Sequence, residues 1–327
     1  KAENISSVII PLAWLGIIAA QIIAAAKILS GLGFINYTNA ALLSGVVFIF
    51  YTLLGGQLSI LKTDALQAVL ILLGLAALLF FSANNPTSVD IETFEIKSLF
   101  NSSFSVFDLL ILILTYSVTF VVGPDIYSRV FCAKNEKTAA RSILIVAVLL
   151  IPVSVALTYL GIYSKEFSDS GFVSFAQHLL PGWAYGLFIA ALLSAVMSSA
   201  DTTLLTSSMI LNEIYSGNLH HKNSLKTTRW IVVFMGILSM VIALFTTSII
   251  QSLLFALTFF SGAFVVPTLA GLLNLKTIKN RAIYAIIIGG SIALSGKIIY
   301  NFYHETFGNI VIVSAYLINS LVLFVKT

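Results

Sequence analysis

Residues 190–205 read A-A-L-L-S-A-V-M-S-S-A-D-T-T-L-L, a run apolar enough for a membrane helix yet carrying hydroxyls at its middle. Ala195, Ser198, Ser199 and Thr202 recur at i, i+3, i+4 and i+7, which sets them along one stripe of an α-helix. A backbone carbonyl beside a small residue, together with three hydroxyls, offers the neutral oxygen ligands that suit a dehydrated sodium ion. Helix packing is the other reading of this stripe. Small and hydroxyl residues line membrane-helix interfaces, where each hydrogen bond contributes ~0.6–2 kcal/mol.

The surrounding chain has the composition such a helix requires. It is 327 residues long, 59% hydrophobic and 9% charged, with mean hydropathy +1.03, whereas soluble domains carry about 25% charged residues. A membrane helix needs ~20 mainly apolar residues. Ten stretches qualify: 5–29, 38–56, 60–82, 105–123, 140–164, 184–210, 228–247, 249–273, 281–300 and 309–326. These runs are continuous rather than alternating, which argues for helices and against a β-barrel. The expected fold class is an all-α membrane protein. Neither a linker nor a low-complexity tract divides residues 1–327, so a single transmembrane domain is expected. The one cysteine, Cys132, excludes an intramolecular disulfide and a cysteine metal cluster.

The net charge of +4 sorts by side. With residue 1 cytoplasmic, the inner loops and ends collect thirteen of the seventeen basic residues, including Lys62, Arg129, Lys134, Lys137 and Arg141. That bias predicts a multi-pass plasma-membrane protein with its first residue inside. Contact with anionic lipid headgroups accounts for the basic loop after Arg129, and nucleic acid is not an expected partner. Lys27 and Lys297 fall near outer helix ends, where long side chains snorkel. The outer loop 83–104 is polar and acidic. The second outer loop, 165–183, carries a short helical run, Val173 to Leu180, placed either as a surface helix or as a gate across the outer mouth.

Between the second and third spans lies Y-T-L-L-G-G-Q, residues 51–57, followed by Thr63-Asp64-Ala65-Leu66-Gln67. Paired glycines end one helix and permit a tight turn, and Thr63-Asp64 then starts the next helix with an N-terminal acid. Asp64 is thereby either an ordinary first-turn acid or, near membrane depth, a carboxylate that attracts a cation.

Three separated stretches together resemble the sodium:solute symporters, a family that includes transporters of sugars, proline, pantothenate and sialic acid. They are the Y-T-L-L-G-G turn with Thr63-Asp64-Ala65-Leu66-Gln67; Gly123-Pro124-Asp125-Ile126-Tyr127-Ser128-Arg129 with Ala133-Lys134-Asn135; and Met197-Ser198-Ser199-Ala200-Asp201. The resemblance implies a LeuT-type bundle of two inverted five-helix halves. It makes the first three spans the end of one half, spans four to eight the other half, and the last two peripheral. The first core helices would then lie upstream of Lys1.

The resemblance further implies a sodium site from the Ala195 carbonyl and the Ser198 and Ser199 hydroxyls. It implies a second cation site or exit path from Asp64, Ser198, Asp201 and Thr202. Solute contacts would come from Tyr116, Thr119 and Phe120, one to three turns before the Gly123-Pro124 break. Tyr116 and Phe120 share a face at i, i+4, a spacing that also serves plain packing. Gln21 and Thr258 are additional polar candidates at midmembrane depth.

His178, His220, His221 and His304 fall outside the spans, and neither an H-E-x-x-H helix nor a nucleophile elbow occurs, so an enzyme is not expected. The expected activity is sodium-coupled import of a small solute by alternating access. A channel, or a proton-coupled transporter of the same fold, is the alternative, since small polar residues also line pores.

Overall fold

The computed structural model describes residues 2–84, 100–101, 104–164, 171–216, 224–278 and 281–324. In chain order the helices are α1 (Ala2–Gly31), α2 (Tyr37–Leu54), α3 (Gln57–Asn84), α4 (Val106–Leu112), α5 (Val118–Val122), α6 (Pro124–Phe131), α7 (Glu136–Ser164), α8 (Gly171–Leu179), α9 (Gly182–Ser216), α10 (Ser224–Phe245), α11 (Ile249–Leu272), α12 (Ala282–Phe302) and α13 (Glu305–Phe324). Among the described residues no strand forms, and ten helical stretches are long and apolar enough to cross a membrane. Each overlaps one of the ten expected spans, most of them extending further. Of the outer loop 83–104, residues 85–99 and 102–103 lie outside the described residues, as do 165–170 of the second outer loop, His220 and His221.

Helix α1 is apolar on every side, and such a helix is buried. It packs against α2, α9, α10 and α11. Ile18, Ile22 and Ile23 interlock with Ala40 and Phe48 of α2, Leu204 of α9 and Met235 of α10. Its face toward α11 is closed by Trp14 and Ile17 against Leu257, Phe260 and Phe264. Glycine lets these backbones approach. A Cβ at Gly16 would lie 2.9 Å from Ala256 Cβ and 3.1 Å from the Ser252 carbonyl oxygen. The Ser252 hydroxyl donates to the Gly16 carbonyl at 2.9 Å, so the same close approach satisfies a polar group.

Around this centre α3 lies along α9, and α12 and α13 form a closely packed pair beside α11. In contrast, α7 is exposed along most of its length, Leu144, Ile151 and Val155 included. The run at 173–180 is the helix α8, with His178 in its last turn. Val173, Phe175 and Ala176 are buried against α3, α7 and α9, which anchors α8 to the bundle.

Four expectations are revised. Helix α3 starts at Gln57, so Asp64 sits about two turns inside rather than in a first-turn position. The turn before it behaves as expected: Gly55 N–H donates to the Tyr51 carbonyl at 3.0 Å, and Gly56 adopts φ +130°, which only glycine takes easily. The span at 105–123 is not one uniform helix. It runs from α4 through a π-helical turn, Ile113–Ser117, into α5, and after Gly123–Pro124 continues as α6. Proline has no N–H for the Phe120 carbonyl, and Gly123 is extended at ψ 132°, so the ladder breaks there. Lys297 does not snorkel; it is 6% exposed, with Nζ 4.1 Å from the centre of the Tyr300 ring. Arg129 also leaves the basic loop assigned to it and turns into the bundle.

Candidate functional site

The break at Gly123–Pro124 re-aims the chain so that α6 runs beside α9. Asp125 and Arg129 are four residues apart on it and therefore share a face. Arg129 Nη2 reaches the Asp64 carboxylate Oδ2 of α3 at 3.1 Å and the Thr202 hydroxyl of α9 at 3.1 Å. The Ser198 hydroxyl donates to the other oxygen, Asp64 Oδ1, at 2.5 Å. Thr202 completes the cluster by donating to the Ser198 carbonyl at 2.9 Å. Three helices thus meet through one carboxylate and one guanidinium.

Both Asp64 oxygens accept hydrogen bonds, one of them from a cation. The Asp64 side chain is 17% exposed and that of Arg129 42% exposed, so the pair lies at the rim of the buried region. Deeper in, Trp14 Nε1 of α1 donates to Asp125 Oδ2 at 2.9 Å, tying α6 to α1. Asp125 Oδ1 and Asp201 Oδ2 are buried without a hydrogen-bond partner, and Asp201 is 1% exposed. The walls around Arg129 carry three aspartates, and the one ion pair among the described residues joins Arg129 to Asp64. Around Arg129 the acids therefore outnumber the base, a setting that favours cations.

A cavity of about 240 Å³ opens between α1, the broken span, α9 and α11. Gln21, Tyr116, Thr119, Phe120, Ser199 and Thr202 line it, along with Trp14, Asp125 and Arg129. Its walls are largely aromatic and apolar with a few polar groups, and its volume is below the ~300–1,000 Å³ of drug-sized pockets. The π-helical turn presents Tyr116, and the Thr119 hydroxyl folds back on the Thr115 carbonyl. At the break, the Tyr127 hydroxyl donates to the Val121 carbonyl at 3.0 Å, which helps satisfy the interrupted backbone.

The expected residues fall into three groups. Gln21, Tyr116, Thr119, Phe120, Ser199 and Thr202 meet on the cavity. Ser198 and Asp64 bond to each other beside it, with Ala195 one turn from Ser198, and Asp201 is enclosed next to Thr202. Thr258 is apart: it is 1% exposed on α11, its carbonyl accepts from Ser261 at 3.2 Å, and it is not on the cavity wall. The sequence reading missed Trp14, Asp125 and Arg129 as wall residues. For the last two a signal existed in their i, i+4 spacing just after a proline break.

Residues 2–289 match the model of the sodium:solute symporter family. Among curated proteins the chain is similar to the sodium/proline symporter of Salmonella typhimurium, 24% identical, with 87% of this chain and 62% of that protein covered. It is similar to the sodium/pantothenate symporter of Haemophilus influenzae, 26% identical over 63% of this chain and 46% of that protein. High-affinity choline transporter 1 of Torpedo marmorata is 27% identical over 65% and 42%. The chain therefore spans about three fifths or less of the length of these relatives. With a family match across most of its length and ten membrane-length helices, the chain belongs to the sodium:solute symporter family.

Proposed function

We propose that this protein imports a small solute together with sodium by alternating access, in a LeuT-type inverted repeat, across the plasma membrane with residue 1 on the cytoplasmic side. The observation that carries the reading is that the hydroxyl stripe of α9 adjoins both the Asp64 carboxylate and a small cavity. The relatives' names supply the sodium coupling and a range of solutes, proline and pantothenate among them.

In this reading the Ala195 carbonyl and the Ser198 and Ser199 hydroxyls hold the sodium ion. Neutral oxygens bind it loosely enough to release it. Asp64, Asp201 and Thr202 form a second cation site or the exit path. Tyr116, Thr119, Phe120 and Gln21 contact the solute, whereas Thr258 shapes the wall from behind. The membrane potential contributes ~2.3 kcal/mol per charge per 100 mV, so one sodium ion drives several tens-fold accumulation before its own gradient is counted.

The buried, unpartnered oxygen of Asp201 favours a second reading, in which a proton replaces the ion. One experiment separates them. The full chain is reconstituted in proteoliposomes and solute uptake is screened under an imposed sodium gradient and, separately, a pH gradient. Sodium-driven, saturable uptake supports the proposal; uptake driven by the pH gradient alone overturns it in favour of the proton.

A further inference from the structure

The Asp64 cluster already holds a cation, and it belongs to the protein. The Arg129 guanidinium takes two of the oxygens, Asp64 Oδ2 and Thr202 Oγ1, that an ion arriving there would need, each at 3.1 Å, while Ser198 closes Asp64 from its other oxygen. We propose that Arg129 is a tethered competitor of sodium: guanidinium and ion are alternative occupants of the oxygens around Asp64, and the ion enters by displacing the side chain. The inference rests on the reading of α9 as the sodium-binding helix and adds the residue that sets how tightly sodium is held there.

Both occupants cannot stay. Two unit positive charges sharing one carboxylate repel, and the Thr202 lone pair that faces Nη2 cannot also face an ion at the same place. Displacement is inexpensive for Arg129. Its side chain is already 42% exposed, its charge is weakly hydrated, and its long stem can swing the head toward water while α6 stays in place. The tie between Trp14 and Asp125, one turn earlier on the same helix, is what holds α6 during the swing.

Competition has a sign that a purely structural role lacks. If Arg129 only braced three helices, removing it would weaken folding and leave sodium affinity unchanged or worse. If it competes, removing it tightens sodium binding, because Asp64 loses its resident partner. A partly exposed ion pair of this kind contributes up to about 1 kcal/mol, which sets a gain of up to about fivefold in affinity.

The test is equilibrium binding of sodium-22 to the purified full chain as wild type, Arg129→Gln and Arg129→Lys, with folded protein counted by size-exclusion chromatography. Arg129→Gln is expected to bind sodium several-fold more tightly than wild type. Arg129→Lys, whose point charge cannot span both oxygens, should fall between them and serves if the glutamine variant does not fold. Millimolar guanidinium chloride should weaken sodium binding to Arg129→Gln more than to wild type, as a free ion takes the vacated place. Equal or weaker sodium binding by the folded variants, or no added sensitivity to guanidinium, overturns the proposal. A wild type that binds no sodium overturns the symport reading instead.

Discussion

Trp14 and Asp125, 111 residues apart, are joined by a 2.9 Å hydrogen bond from the indole N–H to the carboxylate, so the first described helix fixes the start of α6 just past its proline break. The other Asp125 oxygen is buried without a hydrogen-bond partner, and the indole donates to the first. Trp14→Phe keeps the apolar ring against Phe260 but removes that donor. Leaving a buried acceptor unpaired costs about 1–3 kcal/mol, and more for a charged group. A lower unfolding temperature in detergent is expected, and Trp14→Phe combined with Asp125→Asn should cost less than the two single changes summed.

Ser199 opens on the cavity and Ser198 faces Asp64, so the two alanine variants should differ in kind. Ser199→Ala should raise the sodium concentration for half-maximal uptake with little loss of folded protein. Ser198→Ala should do the same and also lower thermal stability, because Asp64 loses a charge-assisted bond. The paired measurement is the sodium dependence of uptake beside the melting temperature. Equal stability losses would place both serines in helix packing.

Phe120 is 66% exposed yet stands on the cavity wall. Truncation of an exposed side chain leaves stability within about 0.5 kcal/mol. Phe120→Ala should therefore raise the solute concentration for half-maximal uptake while leaving the melting temperature near that of wild type. A reduced melting temperature with unchanged solute dependence would make Phe120 a packing residue.

The close approach of α1 and α11 rests on Gly16 meeting Ala256. Gly16→Ala overpacks that contact, and such insertions cost typically 1–3 kcal/mol. Adding Ala256→Gly removes the nearest clashing methyl and should restore much of the loss, read as the yield of monodisperse protein. Failure of the second change to rescue the first would show that the Ser252 carbonyl is the tighter limit.

Much of this architecture was legible because the bilayer imposes length: ten long apolar runs became ten membrane-length helices, and the period of the hydroxyl stripe placed Ser199 and Thr202 on one cavity. Adjacent helical positions diverge by about 100° around the axis, so the stripe could not reveal that Ser198 faces a carboxylate while Ser199 does not. The π-helical turn at Ile113–Ser117 was hidden because one extra residue in a turn leaves no mark on an unbroken apolar run. Arg129 follows a helix break among other basic residues, where a side chain that meets lipid headgroups reads the same as one that folds back. Its direction is set by Asp64, 65 residues earlier, which is a tertiary fact. Lys297 is the same lesson: the side chain expected to reach water is buried on α12 with its amine over the Tyr300 ring.

The central claim, that sodium held by the α9 hydroxyls and solute held in the adjoining cavity move together, is tested most directly by sodium-22 entry into proteoliposomes containing the full chain. The account predicts that adding the transported solute accelerates sodium entry and that Ser199→Ala moves this acceleration to higher sodium concentrations. Sodium entry that proceeds at the same rate with and without solute would contradict it.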